Sequence, residues 1–123
     1  MRRTIILLST AVLLEAAAPT PTASGEFARA MDAAMERMMG EMHVRSTNDV
    51  DRDFTAMMIP HHQGAIDMAV AELRYGTSPQ LKRIAQEIIV EQQQEIAAMR
   101  LAVGDPLPPQ APAPTQQSGR RGH

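Results

Sequence analysis

The sequence predicts an all-α fold of three main helices. Two observations carry this: apolar side chains recur at spacings of three and four along three segments, and capping residues, prolines and glycines stand where such helices would begin and end. In the first segment, residues 26–44, Phe27, Met31, Met35, Met38 and Met42 follow the helical spacing. Ser46, Thr47, Asn48 and Asp49 then break the pattern and supply candidate N-caps for a second helix over 50–75, with Gly76 placed to end it. Ser78 followed by Pro79 reads as an N-cap with proline at the first helical position. It opens a third helix over 79–103, which Gly104 closes. Three helices of this length bury a thin core. The bundle is therefore open to completion to four or more helices by self-association, with the methionine stripe of the first helix as the candidate surface.

At 123 residues the chain has room for one small domain. Residues 1–23 read as a secretory signal peptide: Arg2 and Arg3 form a positive start, Ile5 to Leu14 a short apolar run, and Ala16, Ala17 and Ala18 a small-residue exit. Cleavage falls between 18 and 24. An apolar run of about ten residues is half of what a membrane-spanning helix needs, so no span is expected after processing. Residues 19–25 read as a linker, 26–103 as a helical metal-binding domain, and 104–123 as a disordered tail rich in proline and glutamine. The expected destination is the periplasm or the cell exterior.

Export implies an oxidising compartment, yet the chain has no cysteine, so no disulfide can staple it. The formal charge of −2 and the scarcity of aromatics, with only Phe27, Phe54 and Tyr75, leave neither a basic stripe nor a stacking platform. Nucleic-acid binding is excluded on those grounds.

The run from Met57 to Met68, MMIPHHQGAIDM, sets two imidazoles and three thioethers in one short helical stretch. At about 100° per residue, with His61 as zero, Met57, Met58, Met68, Phe54 and Ala65 all fall within about 60°. The apolar stripe of the second helix thus carries the soft donors, with His62 at its border about 100° away. Neutral imidazole with thioether sulfur suits Cu(I), and by extension Ag(I), far better than Mg or Ca. In an oxidising compartment, a protein without thiolates that handles a soft ion must use Met and His. Pro60 removes one backbone donor and frees the carbonyl of Ala56. It reads as a kink in one continuous helix, with a break between two shorter helices as the alternative.

On the third helix, Leu81, Ala85, Ile88 and Ile96 lie within about 60° of Met99, and so do Gln92 and Glu95. Two polar side chains on an apolar stripe need partners if buried. A histidine opposite would satisfy either, orienting a metal-binding imidazole from the second shell of the site. The plain alternative is a half-exposed stripe that reaches solvent. The Met31–Met42 seam has a plain alternative too, since methionine fills irregular cores readily. Against it stand the ten methionines of this chain and an i, i+4 pair of Met39 with His43 on an adjoining face. Adjacent His61 and His62 diverge by about 100° and cannot both point inward. Asp49, Asp51 and Asp53 lack the glycine and closing glutamate of a calcium loop and read as charges favoured by a helix N-terminus. No Glu-x-x-His pair of a di-iron bundle, no His-Glu-x-x-His of a zinc hydrolase and no nucleophilic triad is present, so the protein is not expected to be an enzyme.

Asp53-Phe54, the segment Met58 to Ala69, and Ile88, Gln92, Glu95-Ile96 and Met99 together resemble domain-of-unknown-function family 305 over residues 35–101. The resemblance implies an exported, ferritin-like helical bundle. For better understood members, such as the copper-binding protein CopM, it implies Cu(I) or silver binding in copper resistance. It nominates Met58, His61, His62, Met68 and Met99 as ligands and makes Gln92 and Glu95 part of a signature. Its methionine-rich opening adds Met38, Met39, Met42 and His43. The tryptophan that often follows the last methionine in the family is replaced here near Ala102.

The expected function is buffering, sequestration or resistance towards Cu(I), with Ag(I) or Cu(II) as further ions. The ligands expected are Met57, Met58, His61, His62, Met68 and Met99, with Met39 and His43 as a weaker set. An unidentified copper donor or acceptor protein is the expected partner, and a homo-oligomer is open. The rival functions are a helical interaction module with purely structural Met and His, and a ferritin-like redox enzyme.

Overall fold

A computed structural model describes residues 20–107. The expected signal peptide up to residue 19 and the tail from 108 lie outside the described residues. Three helices form, α1 over Ala23–Glu41, α2 over Val50–Tyr75 and α3 over Pro79–Ala102. No strand occurs among the described residues, and no helix there is long and apolar enough to cross a membrane.

Each helix begins at a side-chain cap. Thr22 accepts from the Gly25 amide and starts α1 three residues before the apolar spacing does, so the end of the expected linker is helical. Asp49, among the four candidate caps, accepts from the Asp51 and Arg52 amides. Ser78 accepts from the Leu81 amide with Pro79 directly after it. Pro60 lies inside a continuous α2, so the reading of two shorter helices is set aside. Its ring is buried where α1 packs, which compensates for the backbone bond it removes.

The connection between α1 and α2 is organised by Asp53, one turn into α2. Its carboxylate accepts from the Ser46 hydroxyl at 2.7 Å, the Thr47 amide at 2.8 Å and the Thr47 hydroxyl at 2.7 Å. These bonds let Asn48 sit at φ 65°, a left-handed value that asparagine tolerates. Of the Asp residues read as charges at a helix N-terminus, Asp51 and Asp53 stand in the first turn of α2 as read, Asp49 is its cap, and Asp53 also anchors the loop.

α2 packs against both other helices, whereas α1 and α3 do not approach each other. One face of α2 places Ile66 and Ala69 in a core with Ala85, Ile89 and Ile96 of α3. The opposite face, about 180° away at 100° per residue, carries Pro60, Gly64 and Ala71 towards α1. The helices run antiparallel: Arg52 donates to the Val103 carbonyl at 3.1 Å, and ten residues along α2 His62 meets Glu95 of α3. The result is a three-helix layer centred on α2 rather than three helices around a common axis.

Gly64 sets the α1 contact. A Cβ there would lie 2.7 Å from Met38 Sδ and 3.0 Å from Met38 Cβ and Cγ. Gly64→Ala gains about 1 kcal/mol of helix propensity but meets overpacking of typically 1–3 kcal/mol. We expect a net loss of roughly 1 kcal/mol by urea denaturation, which turns into a gain when Gly64→Ala is made in a Met38→Ala background; the same loss in both backgrounds would refute the contact. The hydrogen bonds from Ser46 and Thr47 hold the Asp53 carboxyl below its ordinary value of 3.8. A lowered folded-state value stabilises the fold above the unfolded value, and that contribution is lost as pH falls through the folded one. The Thr47 amide resonance should therefore shift below pH 3.8 in the wild type and lose that transition in Asp53→Asn.

Candidate metal centre

The central place of α2 decides what each turn of the Met57–Met68 run faces. His62 is buried, 8% exposed, and points at α3, while His61 is exposed. This reverses the expectation of a stripe centred on His61 with His62 at its border. A helix packed on two opposite sides has half-exposed edges between them. Phe54, Met57, His61 and Met68 share one such edge instead of a buried stripe.

His62 is committed at both ring nitrogens. Nδ1 lies 2.8 Å from the Met58 carbonyl oxygen and Nε2 2.5 Å from Glu95 Oε2. The carbonyl only accepts, so Nδ1 donates there. At Nε2 either the ring donates to the carboxylate or a protonated Glu95 donates to the ring. In both cases no lone pair remains for a metal while the contacts stand. Glu95 has the histidine partner expected for it, and the pair ties α2 to α3. His61 carries no such commitment; its ring centroid is 5.9 Å from that of His62, with the planes at 63°.

The antiparallel register fixed by Arg52–Val103 and His62–Glu95 puts Met99 level with Met57 and Met58. Met99 also packs partly against the α2–α3 core. Met58 and Met99 therefore lie at one level on the open side of the α2–α3 seam, with Glu95 and half-buried Gln92 at its border, while His61 lies on the open edge of α2 and Met57, about 20° from Gly64, leans towards α1. Met68 is two turns further along, about 10 Å from the His61 level at 1.5 Å per residue. The Met38–Gly64 and Arg37–Asp67 contacts put it level with Met35 of α1, and Met42 level with His61.

Met39 lies about 40° around α1 from Met35, and His43 about 40° further on, towards the outer side. Met39 is 52% exposed, and His43 Nδ1 donates to the Met39 carbonyl at 2.9 Å, closing the helix end. That bond leaves Nε2 of a neutral His43 as the acceptor nitrogen. Among the described residues, no three His, Asp or Glu side chains come together as a metal cage, so a site there depends on sulfur. Met35 and Met42 are members of the same face that the MMIPHHQGAIDM run does not itself reveal. Gly64, an interior helix glycine, was the available signal for the close α1–α2 approach that brings them near.

The family model described as "Domain of unknown function (DUF305)" matches residues 9–103, which include all three helices. No curated protein matches the sequence. The match covers more than half of the chain, and the protein belongs to the DUF305 family.

Proposed function

We propose that this is an exported copper-binding protein that holds Cu(I), and by the same chemistry Ag(I), through methionine and histidine. It serves as a buffer, sequestering agent or resistance factor in the periplasm or outside the cell, and exchanges the ion with a donor or acceptor protein. The observation that supports this best is where the methionines are. Of the nine among the described residues, only Met38 is buried, while the core is made of Ile66, Ala69, Ala85, Ile89 and Ile96. Leucine would serve packing equally well at the half-exposed positions; what methionine adds is a polarisable sulfur.

Soft thioethers with one imidazole favour a monovalent soft ion over hard cations. Met57, Met58, His61 and Met99 are the preferred ligands. His62 and Glu95 position the helices that bear them. Met68 with Met35 forms a lesser group further along the same face. What the family resemblance implies for its better understood members points the same way, as does a chain without cysteine behind a leader-like N-terminus.

Anaerobic titration with Cu(I) against a competing chelator tests the proposal. The wild type should compete, and Met58→Leu/His61→Ala should bind at least tenfold more weakly with its helicity intact. A wild type that fails to compete overturns the copper reading in favour of an interaction module. His62→Ala gives the complementary result: a stability loss of roughly 1–3 kcal/mol by chemical denaturation, from the lost tie between helices, with Cu(I) affinity changed less than threefold. Loss of affinity in folded His62→Ala would make His62 a ligand.

A further inference from the structure

The layer has two broad faces of different chemistry. On one, Arg37 donates to Asp67 at 2.9 Å and Gln63 donates to the same carboxylate at 3.1 Å. Met35 lies about 160° around α1 from Arg37, and His61 about 160° around α2 from Gln63. Both therefore belong to the other face. Antiparallel neighbours turn the same angular sense towards the same side, as the Arg37–Asp67 pair illustrates. The same rule brings Leu81, Ile88 and Met99 of α3 to the face of Met35 and His61.

That second face is apolar and open. Met35, Phe54, Met57 and Leu81 are 43%, 53%, 40% and 52% exposed, and Val50 at the start of α2 is 82% exposed. With half-buried Met31, Met42, Met58, Met68, Ile88 and Met99 they form an apolar surface on the order of several hundred Å², comparable with the roughly 300–600 Å² of the largest patch on a typical monomer and of the same order as the roughly 800 Å² that one partner gives a standard interface.

We propose that this face is closed by the same face of a second copy of the chain, giving a two-layer, six-helix dimer. An isologous interface needs a surface that tolerates its own image. Here the carboxylates along the face are Glu72 and Glu95, with exposed Asp32 and Glu91 at its borders, and Glu95 is held by His62. The remaining side chains are mostly flexible thioethers that repack against one another. The core is also thin: among the described residues, Ile89 is the one large side chain that is fully buried. The dimer does not depend on the copper reading, since apolar area and charge alone argue for it.

Sedimentation equilibrium of the purified protein with a copper chelator present, from low micromolar to several hundred micromolar, tests it. The wild type should be a dimer. Phe54→Glu and Met35→Glu, both at exposed positions, should raise the dimer dissociation constant at least tenfold with helicity unchanged. Val90→Glu, on the other side of α3 and 44% exposed, should leave it unchanged. A wild type that stays monomeric under chelation overturns the proposal, whatever copper then does. So does a dimer indifferent to Phe54→Glu and Met35→Glu, or one equally weakened by Val90→Glu. Dimerisation without Cu(I) competition would uphold the dimer while ending the copper reading, and the converse would separate them the other way.

Discussion

α2 is packed on two opposite sides, and most of what the molecule presents to its surroundings depends on that. A helix flanked once has one buried stripe and one solvated face. A helix flanked twice has two buried stripes and two edges, and the edges are only partly covered. Gly64 makes the first contact close enough for Met38 to lie against bare backbone. Ile66 and Ala69 make the second against α3. With both faces used, the donors of the double-histidine run are divided: His62 falls on a buried face, and His61 with Met57 and Met68 on an edge.

His62 shows what a thin core asks of a buried polar group. Its two nitrogens are both bonded, to a carbonyl on its own helix and a carboxylate on the next. Removing either partner would leave a costly unsatisfied atom. Because Glu95 is half exposed, the pair fixes register without the full desolvation cost of a contact buried on both sides. Sliding α3 by one residue would rotate Glu95 about 100° away from the ring. The histidine that looks most like a ligand from its burial is thus the one already occupied, while its neighbour His61 is exposed.

Local signals were legible in the sequence wherever they were local. Asp49, Ser78 with Pro79, and Gly76 mark helix ends that the structure bears out, because a cap is satisfied by atoms two or three residues away. The start of α1 was placed late because Thr22, Ser24 and Gly25 resemble a linker, although the Thr22 hydroxyl caps the first turn. What the pattern could not give was the neighbour count of α2. Periodicity reports where apolar residues lie on a helix, not how many partners it has, so a stripe centred on His61 was the natural single-sided reading. The Glu95 partner was foreseeable because polar atoms on an apolar stripe need one. The gathering of Met35 and Met42 with the α2 donors depends on inter-helix register, which one helix cannot encode.

The choice of methionine on the open face argues beyond packing. Where the chain needs a dry, well-filled interior it uses isoleucine and alanine, residues with few rotamers and no heteroatom. On the partly covered edges methionine stands beside exposed Phe54, Leu81 and Val50, and it is more flexible, packs less specifically and is open to oxidation to the sulfoxide. For an exported protein, as proposed above, that exposure would be a liability. Closing the face against a second copy would shield most of those sulfurs, and binding a soft ion would occupy their lone pairs. If both proposals hold, the two effects share side chains and are thermodynamically linked: an ion that binds the dimer better than the monomer strengthens the dimer by the same factor. A face made of leucine could dimerise but could not be coupled to metal in this way.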